Sequence, residues 1–190
     1  MSSPKIIGLC GRMGSGKSTV ANILSTQGFL EMSFAMPLKQ ICSILSGIDS
    51  EILLAGTAEN RKLRETMKDN IFGKTGREWL EDVGMIFRQN FDSDFWVKIL
   101  KRDLEKGINS GKKYIISDCR FENEYNMLKD LNADIWIIYK NPNDLIIRDG
   151  EKEKDHISRW KFIEFIQNTD KYIKNDRSKQ DLKNIILDTL

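Results

Sequence analysis

The sequence predicts an α/β fold, a parallel β-sheet flanked by helices on both faces, in a single domain spanning residues 1–190. Three observations carry it. Short apolar runs of buried-strand character alternate with segments of helical periodicity, the pattern of a parallel sheet with crossover helices. A glycine-rich G-x-x-x-x-G-K-S segment stands between the first such run and the first helix. No repeat, low-complexity tract or linker divides the chain, and 190 residues suffice to bury one core.

Each element follows from its residues. Lys5–Cys10 (K-I-I-G-L-C) has the unbroken apolar character of a central strand. A helix over 17–27 carries Val20, Ala21, Ile23 and Leu24 on one face, with Gly28 as its C-cap. A short strand at Phe29–Ser33 follows, then a helix from Pro37 with Leu38, Ile41, Ile44 and Leu45, stopped at Gly47. Residues 48–74 are more polar and read as a mobile helical insertion. Helices over about 76–90 and 93–106 carry Trp79, Leu80, Val83 and Phe87, then Phe95, Trp96, Ile99 and Leu100. Tyr114–Asp118 and Ile135–Tyr139 are two more buried strands, separated by a helix at 121–131. The charged stretch 148–161 reads as a solvated flap; Tyr172–Asn175 is a short last strand, and a helix with Leu182, Ile185, Ile186 and Leu190 closes the chain.

Composition excludes several function classes. Thirty Lys+Arg against 28 Asp+Glu leave a net charge of +2, which rules out a supercharged nucleic-acid binder but not a local basic cleft. Cys10, Cys42 and Cys119 lie too far apart for a metal motif and are odd in number, so they read as reduced thiols. The one histidine, His156, excludes multi-histidine zinc sites, and no G-x-S-x-G elbow accompanies it. No segment approaches the roughly 20 apolar residues of a membrane span, and the N-terminus lacks a signal-peptide core. A cytoplasmic protein is expected.

The segment Gly11-Arg12-Met13-Gly14-Ser15-Gly16-Lys17-Ser18 is a complete P-loop pattern in its strand–loop–helix context, which makes the fold that of a P-loop NTPase. Its glycines let backbone N–H groups converge on phosphate oxygens, helped by the positive end of the following helix. Residues Gly11, Arg12, Gly14, Ser15, Gly16, Lys17, Ser18 and Thr19 are therefore expected around the phosphates of a bound nucleotide, in a loop shared by kinases, GTPases and motor ATPases. Lys17 would reach the β- and γ-phosphates and Ser18 would offer its hydroxyl to Mg²⁺. Asp118 ends a buried strand at the sheet edge where ligands sit, and is a second Mg²⁺ candidate; a cap on the following helix is the alternative reading. Arg120 shares that crevice. Taken singly, Lys39, Arg64 and Arg77 read as solvated charges, Trp79 and Trp96 as core, and His156 as a surface residue.

Beyond the P-loop, I-I-G-L-C-G-R-M-G-S-G-K-S-T-V-A-N-I-L (6–24) is similar to dephospho-coenzyme A kinase, but that family's acidic segment after the second strand is replaced by S-F-A-M-P-L-K (33–39). With T-G-R-E-W-L-E-D-V-G (75–84), D-S-D-F-W-V-K (92–98), I-S-D-C-R-F-E-N-E (116–124), D-H-I-S (155–158) and I-K-N-D…L-K-N-I-I (173–186), that stretch resembles the bacteriophage-type deoxynucleoside monophosphate kinases. The order and spacing agree over nearly the whole chain. The resemblance implies a nucleoside monophosphate kinase-like fold and transfer of the ATP γ-phosphate to a dNMP. It also implies acceptor contacts by Lys39, Arg64, Arg77, Trp96, Asp118, Arg120 and Glu124, with Lys17, Arg77, Asp118 and Arg120 as catalytic residues. The implied acceptor-binding insertion is 48–74 and the lid-like flap 141–161. ATP and Mg²⁺ are the implied cofactors and small nucleotides the partners, with no nucleic acid and no membrane; a homodimer is the only protein partner considered. A virally encoded member would work in the host cytoplasm. Met36, Met85 and Glu122 depart from residues common in the family, as do Met13 and Gly14, where some members carry basic residues. Another P-loop small-molecule kinase and a regulatory P-loop NTPase are the alternatives. Direct phosphoryl transfer fits a chain with one histidine, because a phosphate acceptor attacks without a general base.

Overall fold

The computed structural model describes residues 5–108, 111–148, 150–154, 156–157 and 161–190. In chain order the elements are β1 (Ile6–Cys10), α1 (Lys17–Ser25), β2 (Phe29–Met32), α2 (Met36–Ser46), α3 (Ser50–Leu54), α4 (Ala58–Thr66), α5 (Gly76–Asn90) and α6 (Phe95–Ile108). They continue with β3 (Lys113–Ile116), α7 (Glu122–Asp130), β4 (Asp134–Tyr139), α8 (Glu151–Lys154), β5 (Lys171–Lys174) and α9 (Lys179–Thr189). The chain forms two compact units, one of residues up to Ser33 together with Leu100–Leu190, the other of Phe34–Ile99. The division falls inside α6 and encloses far more than the 48–74 insertion expected from polarity.

The first unit is built on five parallel strands in the order β2-β3-β1-β4-β5. β1 lies at the centre, between β3 (Ile7 opposite Ile115) and β4 (Leu9 opposite Trp136), and all five of its residues are buried. A strand paired on both edges and covered on both faces meets no water, which is why it reads as a continuous apolar run. Ile7 and Leu9 point to one face, where they join Val20, Ala21 and Leu24 of α1 and Leu182 and Ile186 of α9. Gly8 points to the other face, where α7 comes so close that a Cβ would lie 2.8 Å from the Leu128 and Ile135 methyls. Two faces, two helix layers: the parallel α/β reading of the sequence holds.

Boundaries differ from expectation by a residue or two, for local reasons. Helix α1 stops at Ser25, with Thr26 rather than Gly28 closing its carbonyls; Gly28 adopts φ 84° two residues on. β3 ends at Ile116, so Ser117 and Asp118 lie beyond the strand edge instead of in it. Gly47 does close α2, in the left-handed region at φ 67°. Helix α5 begins where expected because Thr75 and Glu78 form a reciprocal capping box.

The second unit packs Leu38 and Cys42 of α2, Leu53 of α3, Val83 of α5 and Trp96 of α6 around Ile48, with Trp79, Leu80, Phe87, Phe95 and Ile99 against them. The polar stretch 48–74 supplies two short helices. α3 is capped by Asp49 and α4 by Thr57, and α4 buries no residue, as its composition requires. The loop between α4 and α5 is fixed by one carboxylate. Asp69 accepts the backbone N–H groups of Ile71, Phe72 and Lys74 and the Trp79 indole N–H. The Phe72 bond foremost holds that carboxyl well below the usual range.

Candidate active site

In the first unit the phosphate loop leaves β1 at Gly11 and enters α1 at Lys17. Gly11 adopts φ 142°, and a Cβ there would lie 2.2 Å from the Ile138 carbonyl oxygen, so the loop can pass β4 only as glycine. Among the described residues no side chain caps α1, whose N-cap is Gly16. Ser15 is buried, its hydroxyl has no partner among the described residues, and a Cβ on Gly14 would meet none of them within 4 Å. Uncapped first-turn N–H groups, an orphaned hydroxyl and an open glycine face fit a polyphosphate, which would supply the missing acceptors.

Lys17 is the charge of this site. Its Nζ donates to the Gly11 carbonyl at 2.6 Å and the Arg12 carbonyl at 2.8 Å. Burial lowers its pKa to about 7, with Arg120 adding to the lowering and Cys10 and Asp118 partly opposing it. The same influences show that Lys17, Asp118 and Arg120 share one environment, as expected from β1 and β3 being neighbours. Ser18 and Asp118 are, respectively, an exposed hydroxyl and a half-buried carboxylate, hard oxygen ligands of the kind Mg²⁺ takes alongside phosphate oxygens.

Three of the expected site residues have partners within the chain that the sequence does not reveal. Arg12 was expected on the ATP phosphates, but its guanidinium is already engaged. It makes a two-pronged ion pair with Glu151 and donates to the carbonyls of Asp144 and Ile146. Glu124 was expected in the acceptor site. It is 2% exposed, and its Oε2 accepts the backbone N–H groups of Arg120 at 2.8 Å and Phe121 at 3.1 Å, so it shapes the turn that carries Arg120. Trp96 was given both a core and an acceptor role. At 2% exposure, with its indole N–H on the Gly84 carbonyl and its ring against Phe87 and Phe95, it is core in this structure.

In the second unit Arg64 of α4 and Arg77 of α5 meet on one carboxylate. Arg64 donates to Glu65 from Nε and Nη2, and Arg77 donates from Nε and Nη2 to the same side chain. Burial would raise the Glu65 carboxyl, but the Arg77 and Arg64 hydrogen bonds outweigh it and hold it below the usual range. Gly76 makes this possible, since a Cβ there would lie 3.1 Å from Arg64 Cγ and 2.8 Å from a Leu53 methyl. Lys39, half-buried, lies on α2 in the same unit. His156 is half-buried, whereas Asp155 and Ser158 of its motif lie outside the described residues.

Sequence reasoning missed Asn175. Its Nδ2 donates to the Ser15 carbonyl at 2.8 Å, and its backbone N–H to the Tyr139 carbonyl, so the end of β5 supports the phosphate loop. The only signal was its place in I-K-N-D, which carried no chemistry of its own.

The sheet order, the loop and Lys17 together define a P-loop kinase fold of the nucleoside monophosphate kinase type. Residues 75–186 match the deoxynucleotide monophosphate kinase family. Over 140 residues the chain is 36% identical to a protein of Acanthamoeba polyphaga mimivirus assigned by inference as a deoxynucleotide monophosphate kinase, covering 67% of this chain and 70% of that one. The chain belongs to the deoxynucleotide monophosphate kinase family and is a phosphotransferase of the kinase class. Among solved structures, dephospho-CoA kinase from Campylobacter jejuni matches with a TM-score of 0.57 and 17% identity, over 97% of this chain and 94% of that one, a likeness of fold alone.

Proposed function

We propose that the protein transfers the γ-phosphoryl group of ATP to a deoxynucleoside 5′-monophosphate, giving the diphosphate and ADP, and that it serves dNTP supply in the cytoplasm as one kinase domain. The observation that carries this is Lys17 held by the loop's own carbonyls at an uncapped helix N-terminus, in a chain of this family.

In this reading the loop N–H groups and Lys17 hold the β- and γ-phosphates. The acceptor phosphate is dianionic near neutral pH, so its oxygen attacks the γ-phosphorus directly; the bond to the β-bridging oxygen breaks, and its electron pair leaves with ADP. Ser18 and Asp118 would hold Mg²⁺, which supplies charge neutralisation at the phosphates when bound. Arg120, on the turn fixed by Glu124, adds positive charge beside Lys17, and Arg64, Arg77 and Lys39 serve the acceptor. Segments 48–74 and 141–161 act as acceptor-side and lid-side flaps that keep water from the transferring group.

The test is a coupled ADP-release assay over the common dNMPs, the corresponding NMPs and dephospho-coenzyme A. Turnover of at least one dNMP, abolished by Lys17→Ala, is the expected result. Turnover of dephospho-coenzyme A alone, or ATP hydrolysis with no acceptor dependence, would overturn the reading.

A further inference from the structure

The loop residue Arg12 and the helix residue Glu151 are 139 positions apart, yet they form an enclosed ion pair, with side chains 11% and 6% exposed. Nothing in the phosphoryl-transfer chemistry uses Glu151. Its environment is nonetheless built in detail. One carboxylate oxygen also accepts the Arg148 backbone N–H at 2.9 Å. Asp144, just upstream, folds back to accept the N–H groups of Lys140 and Asn141 at 2.9 and 3.2 Å, while its carbonyl receives Arg12 Nε at 2.9 Å. Two carboxylates thus organise the chain that follows β4, and the Arg12 guanidinium ties that chain to the phosphate loop at four points.

The tie continues inward. The backbone carbonyl of Arg12 is one of the two oxygens that receive Lys17 Nζ. The side chain of Arg12 is therefore anchored outward on Glu151 while its main chain holds the phosphate-binding lysine. A surface ion pair would add little, but an enclosed, two-pronged arginine–carboxylate pair fixes direction as well as distance.

We propose that Glu151 is a positioning residue for the donor site: through Arg12 it sets the phosphate loop, and with it Lys17, so that ATP affinity depends on a carboxylate that does not itself touch ATP. The inference rests on the reading of the loop as an ATP site and adds to it a remote residue on which that site depends.

The experiment measures Mg-ATP affinity and the KM values for ATP and the preferred dNMP in wild type, Glu151→Gln, Arg12→Lys and the double variant, with melting temperature recorded for each. Glu151→Gln keeps the size of the side chain and removes the charge. Its expected effect is a roughly tenfold weaker ATP affinity and higher ATP KM, about the worth of one charge-assisted hydrogen bond, with the dNMP KM within about twofold. Arg12→Lys, which keeps the charge and loses the fork, should do the same, and the double variant should be no worse than either single one. Additive losses in the double variant would overturn the coupling through Arg12. A lower melting temperature with ATP affinity unchanged would reduce the pair to a structural tie, and overturns the proposal too. Should Glu151→Gln fail to fold, Arg12→Lys alone still separates a selective loss of ATP affinity, which supports the proposal, from a lower melting temperature with ATP affinity unchanged, which overturns it. Absence of ATP binding by the wild-type protein would instead defeat the donor-site reading itself.

Discussion

The side-chain amide of Asn175 donates to the Ser15 carbonyl at 2.8 Å, which joins the end of the sheet's last strand to the loop that follows its central one. The contact leaves no room at the next residue: a Cβ on Gly16 would lie 2.1 Å from Asn175 Nδ2, at a φ of 106°. Gly16 is thus required by its neighbour as well as by its backbone. Gly16→Ala should abolish measurable ATP binding, because either the amide or the loop must move. Asn175→Ala should weaken binding by roughly tenfold, the scale of one lost hydrogen bond to a positioned group. Gly28→Ala is the control. It has positive φ but open space around it, so it should cost about 1–2 kcal/mol of stability and leave ATP affinity alone. Nucleotide titration and thermal unfolding on the three variants separate these outcomes; equal losses at Gly16 and Gly28 would contradict the packing argument.

Lys17 gives the donor site a pH signature. Its pKa in the free protein is lowered from 10.5 to about 7, first by burial and then by Arg120. The folded chain therefore binds fewer protons than the unfolded chain between those values, and stability rises with pH across that window. Phosphate oxygens favour the ammonium form, so ATP affinity should run the other way and fall as pH rises above about 7. At pH 8–9, where the nucleotide itself is fully ionised, binding should take up close to one proton, and at pH 6 far less. Calorimetry in buffers of different ionisation enthalpy measures this directly. Lys17→Arg, whose charge is permanent, should bind without the uptake. Equal uptake at pH 6 and 9 in the wild type would remove the lowered lysine from the account.

Glu65 tests the acceptor side. Two arginines share its carboxylate, and their side chains are only 13% exposed while Glu65 is 36% exposed. The geometry pre-orders two guanidinium groups that would otherwise lose mobility on meeting a phosphate. Glu65→Gln should raise the KM for the dNMP about tenfold and leave the KM for ATP unchanged. Its cost in stability should stay within about 1 kcal/mol, the usual worth of an ion pair near the surface. A rise in the ATP KM instead would place these arginines on the donor.

What the sequence made legible was local. The P-loop, the Thr75–Glu78 capping box and the buried strands are written in neighbouring residues, and spacing alone reveals them. The contacts that spacing did not reveal share the opposite property. Arg12 is expected on phosphate because it lies between loop glycines, and only the fold brings Glu151 to it. Glu124 was expected on the substrate because it ends a family motif, but its position as the third residue of α7 turns it back onto the turn before the helix. Asn175 was invisible because its partner is 160 residues away. The compact second unit was under-read for a similar reason, since a polar stretch such as 48–74 shows few apolar signals even where it contributes Ile48 and Leu53 to a core.

Trp96 is where the family pattern and the packing pull apart, and the two readings differ in what a substitution does. Its ring is 2% exposed among Phe87 and Phe95, and its Nε1 donates to the buried Gly84 carbonyl at 3.1 Å. Gly84 sits tightly as well, with a Cβ there 3.2 Å from a Leu38 methyl. A core tryptophan should be costly to truncate and tolerant of an aromatic swap. Trp96→Ala should lose about 3–5 kcal/mol, enough to unfold much of a marginally stable chain. Trp96→Phe keeps most of the ring volume and loses one hydrogen bond to the Gly84 carbonyl, which retains its partner within α5, at about 0.5–1.5 kcal/mol. If the ring serves packing alone, the folded Trp96→Phe protein retains its dNMP KM within about twofold, measured well below its lowered melting temperature. A selective rise in that KM, with the ATP KM and melting temperature held, would return Trp96 to the acceptor site.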